Sequence, residues 1–408
     1  MRNVDNKWAL IKEAMTDGLN EQQSGVMNVC LDNVLRESGK FLTAMRGNTM
    51  LMENASGGAT AAGNIAALNQ VVLPLIRRVL PGVIANEIVG VQPLSGPFGQ
   101  IHSLRVKYAN TAGSAMAGQE MFAPRHVNDL AVAYSGNEHL NSNSPGAAAN
   151  TAALEGMPGN AVSVEVVKEQ VETKPRKMSA RWTIEATQDA SAQHGVDLES
   201  EIMAAIAQHM VVEIDQELLR TLRALPPAAT AENTFDQTKI SGNATFVGDE
   251  FAALSIMIGR EANNIAARTR LNVGNFLVVS PDALTILQSA KTSAFARTTE
   301  GDFEGPVNIK LVGTLNGAMK VYCDTFAETS TPVLIGYKGS DVDAGVYYCP
   351  YIPLMSTDVV MDPNTFEPVV SFMSRYAIVT LTNKSTSLGN AADYYGLVGI
   401  NSGNLSFL

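Results

Sequence analysis

The stretch DLESEIMAAIAQHMVVEIDQELLRTLRALPP, Asp197 to Pro227, carries the clearest helical pattern in the chain. Leu198, Ile202, Ile206, Met210, Ile214, Leu218 and Leu222 recur every four residues, and Asp197 is placed to cap the start. Pro226-Pro227 stops the helix. At ~1.5 Å rise per residue it spans roughly 40 Å. Steps of four drift around a 3.6-residue turn, so the apolar surface wraps rather than forming one stripe. Such a helix is a spine packed on several sides.

On its C-terminal side, Asp249 to Thr269 is helical in pattern, Asn275 to Val279 reads as a buried strand, and Pro281 to Ala290 as another helix. Lys310 to Val312, Met319 to Cys323, Val333 to Tyr337, Gly345 to Tyr348 and Val369 to Leu381 read as successive strands separated by Gly, Asn and Pro. On its N-terminal side, Gln100 to Tyr108 and the alternating Val162, Val164 and Val166 flank a long polar excursion, the pattern of a protruding hairpin arm. Ile65 to Val91 is apolar but broken by Pro74, Arg77-Arg78 and Pro81, so it runs partly helical and partly extended. Residues 1–53 read as two helical stretches, with Trp8, Ile11, Met15 and Leu19 and then Val26, Cys30 and Val34 at helical spacing. Gly47-Asn48 ends them. Asn54 to Asn64, made of Ala, Gly, Ser, Thr and Asn, is a linker that has no means of burying a core. The expected class is α+β, with no internal repeat.

A chain of 408 residues exceeds the usual single-core limit, so two or more packed regions are expected. With 46% hydrophobic and 17% charged residues it is globular rather than disordered. No apolar run approaches the ~20 residues of a membrane span, and the N-terminus lacks a secretory h-region. The expectation is no membrane association and assembly in a cytoplasm. Cys30, Cys323 and Cys349 are odd in number and far apart, which favours reduced buried thiols over a disulfide framework. A net charge of −11 argues against tight nucleic-acid binding but not against enclosing DNA.

A search for chemistry finds none. Gly39-Lys40 is followed by Phe41 and lacks the first glycine of a phosphate-binding loop. His102, His126, His139, His194 and His209 occur singly, without metal-ligand spacing. Ser95 in Pro93-Leu94-Ser95-Gly96 lacks the glycine that precedes a nucleophile-elbow serine. Glu213, Asp215 and Glu217 on the spine helix read as a solvated face, since only Glu213 and Glu217 align on one side. No enzyme activity, cofactor or metal is expected.

Several ordered stretches resemble the major capsid protein family of T-even-like tailed bacteriophages, whose fold is HK97-like. They include Arg77-Arg78, Pro81, Ile84-Ala85, Gly90-Val91-Gln92-Pro93, Gly99-Gln100, Leu104-Arg105, His194-Gly195 and Asn275-Phe276. Most specific are Tyr337-Lys338-Gly339, Asp343 through Tyr351, Phe366, Pro368-Val369, Phe372 and Arg375-Tyr376. The resemblance covers most of residues 65–385. It implies a helical propeptide or scaffolding segment at 1–53, an N-terminal arm at 54–99, and an E-loop at 100–180. It further implies a peripheral domain with the spine helix at 181–244, an axial domain at 245–345, and a return to the peripheral domain at 346–408.

The implied function is self-assembly into hexamers, with pentamers or a separate vertex protein at the five-fold positions. The product is the icosahedral head of a virion enclosing double-stranded DNA without sequence-specific binding. An encapsulin-like cargo container of the same fold is the alternative. Implied partners are other copies of the chain, a prohead protease, portal and scaffolding proteins, and a decoration or vertex protein.

The family's prohead protease cuts after Glu in a Leu/Ile-x-Glu context. Ile11-Lys12-Glu13, Leu19-Asn20-Glu21, Leu35-Arg36-Glu37 and Leu51-Met52-Glu53 all lie in the first 53 residues, and none occurs later. Leu51, Glu53 and Asn54 are therefore the expected processing residues, with the cut between Glu53 and Asn54 beside the linker. Two departures from the family are also expected. The span Gln100 to His194 is short for the T-even insertion domain, and no lysine lies between Lys107 and Lys168 to supply an HK97-type isopeptide cross-link.

Overall fold

The computed structural model describes residues 12–17, 19–47, 83–109, 117–118, 155, 161–194, 197–240, 247–269, 271–289, 295–297, 310–341, 343–357, 359–362, 364–365, 367–381 and 390–405. The expected processing residues Leu51, Glu53 and Asn54, the linker and the tip of the hairpin lie outside them. The chain divides into two units, the first made of residues 1–99, 171–219 and 347–379, and the second of 100–170, 220–346 and 380–408. Helices and mixed sheets make the class α+β.

The spine helix, α4 (Leu198–Ala224), forms where its pattern places it. The Asp197 carboxylate accepts the Glu199 N–H at 3.2 Å, so the cap is real. Its buried residues include Met203, Ala207, Met210, Val211, Ile214, Leu218, Leu219 and Leu222. All but Leu219 share one broad side of the helix, while Leu198 and Ile202, which begin the four-residue series, are half-buried, so the drift widens the buried face rather than wrapping it around the helix.

In the first unit, α1 (Glu21–Gly47) precedes α2 (Ala85–Ile88) and β1 (Gly90–Val91). The first unit's sheet runs β1-β11-β13-β12, with β4 (Lys174–Arg181) also paired to β13. β11 (Val346–Ser356) is buried at nine consecutive positions, which marks a strand covered on both faces. It is much longer than the strand expected at Gly345 to Tyr348, because Pro350 and Pro353 read as breakers. Pro350 instead keeps its place through its carbonyl, which accepts the Leu94 N–H at 3.0 Å as the chain beyond β1 runs along β11. β13 (Pro368–Thr380) alternates buried and half-buried residues over most of its length and pairs antiparallel with β4 from Val369↔Arg181 to Tyr376↔Lys174. β12 (Val360–Met361) is its short partner at the N-terminal end, Pro368 and Val369.

β4 and α3 (Ile184–His194) were not expected from the sequence. The β4 sequence KPRKMSAR has too few apolar residues to show a period. It is extended because β13 supplies its hydrogen-bond partners, a long-range cause that no local window contains.

The second unit contains a seven-stranded sheet in the order β5-β14-β10-β6-β9-β8-β7. Central β6 (Phe276–Val279) is buried throughout and pairs parallel with β9 (Met319–Cys323) and antiparallel with β10 (Val333–Gly336). β14 (Tyr395–Ile400), absent from the sequence reading, joins β10 antiparallel and β5 (Thr234–Phe235) parallel. β8 (Lys310–Leu315) and β9 meet at Asn316-Gly317, both at positive φ (54° and 67°), with the Ala318 N–H returning to the Leu315 carbonyl at 3.2 Å. Leu315 pairs with Met319, so residues 316–318 make the connection, and glycine is what the positive φ at position 317 favours. β7 (Phe295–Arg297) closes the edge. After the short α5 (Gln237–Ile240), α6 (Val247–Thr269) presents Phe251, Leu254, Ile258, Ala262 and Ile265 as one stripe to the core. α7 (Pro281–Ser289) adds Ala283, Ile286 and Leu287.

Candidate assembly surfaces

In the hairpin, β2 (Phe98–Tyr108) and β3 (Val162–Glu172) form a sheet of their own. The Ala109 N–H donates to the Ala161 carbonyl and the Thr173 N–H to the Pro97 carbonyl, each at 3.0 Å. These end contacts fix an antiparallel pairing of equal strand lengths, so Leu104 lies opposite Val166 and Val106 opposite Val164. Side chains alternate faces along each strand, so those four and Val162 share one face. Leu104 is 70% exposed, Val164 63% and Val166 53%. The opposite face is polar there, with Lys107 paired to Glu165. A two-stranded ribbon cannot bury an apolar face by itself. This one presents an apolar strip that needs a partner surface.

The second unit carries further exposed apolar side chains: Ile256 on the outer side of α6, and Leu271, Val273 and Phe326 in connections. Such residues at the outer surface are where copies of a chain can meet.

The spine-helix carboxylates are a solvated face only in part: Glu217 is exposed and Glu213 half-buried, whereas Asp215 is buried. Arg176 of β4 donates through its two terminal nitrogens to Glu213 and, at 2.5 Å, to Glu217. Its Nε donates to the Tyr376 hydroxyl at 3.0 Å, which donates onward to Glu217 at 2.5 Å. Burial by itself would lower the Arg176 pKa, but its bonds to Glu213, Tyr376 and Glu217 raise it, so the guanidinium stays charged. Burial first, and then its bond to Glu217, push the Tyr376 hydroxyl up, against the lowering effect of Arg176. Asp215 points elsewhere, as its offset of two requires, and is 1% exposed. Its carboxylate accepts the Ile84 N–H at 3.0 Å. The solvated reading is incomplete because helix periodicity shows which residues share a side but not what another strand brings to it. Chemically, one arginine bridges two carboxylates, which makes a brace rather than an acid–base pair.

The motif Tyr337-Lys338-Gly339 to Asp343-Ala344-Gly345 builds a tight return in the second unit. Asn275 clamps Lys338 twice, its Nδ2 donating to the Lys338 carbonyl at 2.6 Å and its Oδ1 accepting the Lys338 N–H at 3.0 Å. The Tyr337 hydroxyl donates to Asp343 at 3.3 Å, and the Tyr337 and Tyr394 rings stack at 6.4 Å. At Gly345 a side chain would meet the Tyr394 ring at 3.0 Å, so the motif's glycine is a packing requirement. All of these are structural duties.

The three cysteines are free and buried. Burial pushes the Cys30 and Cys349 thiols up to about 12. His209 is exposed and reaches Glu213 one turn away at 3.4 Å. Among the described residues, no cluster of His, Cys, Asp or Glu could hold a metal ion, and no helix is long and apolar enough to cross a membrane.

Shell-forming proteins of phage heads are what this chain is similar to. It is 26% identical to the major capsid protein of Vibrio phage KVP40 over 437 aligned positions, covering 85% of this chain and 84% of that one. It is 27% identical to the major capsid protein of Enterobacteria phage T4, covering 80% of this chain and 77% of that one. A solved capsid structure, that of the Myoviridae phage XM1, aligns with a TM-score of 0.43 and 11% identity over 85% of this chain and all of that one. The profile of the family described as major capsid protein Gp23 matches residues 65–400. The chain belongs to that family: it is a structural subunit of a tailed-phage head shell, located in the virion capsid, and not an enzyme.

Proposed function

We propose that this chain assembles into hexamers through an HK97-like arrangement and encloses phage double-stranded DNA. Five-fold positions are filled by its own pentamers or by a separate vertex protein. In this reading the β2–β3 hairpin is the E-loop, α4 is the spine of a peripheral domain, and strands β6 to β10 with α6 belong to the axial domain at 245–345. The exposed apolar strip of the hairpin carries the assembly argument, since it is a surface with no use in an isolated subunit. Many modest interfaces per subunit make loss of one subunit rare. Portal and scaffolding proteins are the further partners of assembly.

Residues 1–53 are a temporary segment removed by a prohead protease between Glu53 and Asn54. Two observations support this. All four Leu/Ile-x-Glu contexts precede residue 54, and the family match begins only at residue 65. Among these contexts, Leu35-Arg36-Glu37 lies within α1, where a helical backbone does not enter an extended protease cleft. The shell lacks the T-even insertion domain. The alignment with the KVP40 protein spans 437 positions, more than the 408 residues of this chain, so that relative carries residues this one lacks.

Intact-mass measurement of the subunit from mature particles tests the processing. A chain starting at Asn54 is expected, and a chain starting at Met1 refutes it. Electron microscopy of the same material distinguishes DNA-filled heads from a cargo-filled container.

A further inference from the structure

The segment assigned to removal is not a loose tail. Within the first unit, α1 buries Met27, Cys30, Leu31 and Val34, each no more than 1% exposed. Their spacing of i, i+3, i+4 and i+7 puts them on one side of the helix. Asn33, beside that stripe, donates through Nδ2 to the Leu94 carbonyl at 2.7 Å and to the Tyr351 carbonyl at 3.0 Å. Those two carbonyls lie where the chain after β1 runs beside β11, so one side chain of α1 bridges the two neighbouring stretches of backbone. Arg36 adds a bond to the Ser95 carbonyl and one to the Asn33 Oδ1. Upstream, Lys12 pairs with Asp32 at 2.5 Å and Met15 is buried, so the helical turn at 12–16 folds back on α1.

We infer that α1 is an intramolecular clamp, a helical ligand seated in a groove of the first unit by Met27, Cys30, Leu31, Val34 and Asn33, which stays bound after the chain is cut. This rests on the processing reading, and it splits maturation into two events. Scission at the linker breaks one peptide bond and leaves every contact of α1 in place. Release of the helix is the step that uncovers the apolar groove and frees the Leu94 and Tyr351 carbonyls. An uncut chain keeps the helix at high effective concentration over its groove, and the cut removes only that advantage. The occupant is therefore this chain's own residues 21–47, not an external partner.

The experiment uses the full chain with the recognition sequence of an exogenous protease inserted between Asn54 and Asn64. After cutting, native size-exclusion chromatography is expected to show the N-terminal fragment co-eluting one to one with the remainder. Amide hydrogen exchange over residues 26–34 is expected to keep its protection. In Leu31→Asp, retention after cutting falls at least tenfold while the uncut chain stays folded. A wild-type fragment that elutes freely overturns the clamp. So does retention unchanged by Leu31→Asp, or an uncut Leu31→Asp chain that fails to fold, which makes α1 an integral part of the core. Because the inserted site replaces the Glu53 cut, a mature chain starting at Met1 sinks the processing reading without touching this result.

Discussion

The carboxylate of Asp215, inside the spine helix, accepts the main-chain N–H of Ile84 at 3.0 Å across 131 positions of sequence. Ile84 sits at the start of α2, where an N–H has no partner within the helix. Replacing Asp215 with Leu leaves that donor buried without this acceptor, a loss of about 1–3 kcal/mol. Asp215→Asn keeps an acceptor oxygen and is expected to lose less. Denaturant midpoints of the unassembled subunit measure both, and equal midpoints for Leu and Asn refute the role.

Gly336 lies where β10 passes between Phe276 and Tyr395, whose rings are 6.4 Å apart. A Cβ there would overlap the Phe276 ring and stand 2.8 Å from Tyr395 Cδ1. Gly336→Ala is expected to cost about 1–3 kcal/mol through overpacking. Gly317→Ala strains the positive-φ turn at the hairpin tip but has no atom within 4 Å of the new Cβ. Thermal unfolding of the two variants separates a packing cause from a backbone one.

Alkaline pH destabilises the subunit through its thiols. Cys30 and Cys349 are raised from an ordinary 9.0 to about 12 by burial. Below pH 9 both states hold the proton and nothing changes. Between pH 9 and 12 the unfolded chain releases protons that the folded chain keeps, so stability falls as pH rises. Each thiol contributes a slope of about 1.4 kcal/mol per pH unit. Cys349→Ala is expected to remove half of the slope set by these two residues between pH 9 and 10.5. An unchanged slope in denaturation experiments rules them out as its source.

The hairpin strip is expected to act between subunits rather than within one. Val164→Glu or Leu104→Glu, at exposed positions, is expected to change subunit stability by no more than about 0.5 kcal/mol. Yet the yield of closed shells counted by electron microscopy should collapse, because a charge buried at an interface without a partner is costly. Normal shell yield would remove the strip from the assembly contacts.

A shell held without covalent cross-links is expected. The stretch from Tyr108 to Val167 contains no lysine to supply the amine of an isopeptide bond. Boiled, denatured particles are expected to run as a single capsid band, and a ladder of oligomers overturns this.

Elements whose signal is local were legible. The spine helix announced itself by its spacing and its Asp197 cap, α6 by its apolar stripe, and β6 by an apolar run suited to a central strand. Of the hairpin strands, the second showed as alternating valines and the first as the strand pattern of Gln100 to Tyr108. By contrast β4, β14 and the true length of β11 depend on partners far along the chain. Prolines at 350 and 353 pointed toward breaks that the sheet does not make.

The sequence by itself determined the class, the spine, the hairpin and the clustering of Leu/Ile-x-Glu triplets before residue 54, because periodicity, composition and short motifs are properties of neighbouring residues. Only the tertiary structure decided that Glu213 and Glu217 share one arginine and that Asp215 holds Ile84. It also decided that the helix ahead of the linker is docked by Leu31 and Asn33 rather than free. The physical reason is common to all three. A helix pattern states which side chains share a face, whereas the partner that meets that face arrives from a distant segment, and burial and charge pairing exist only once the two are packed.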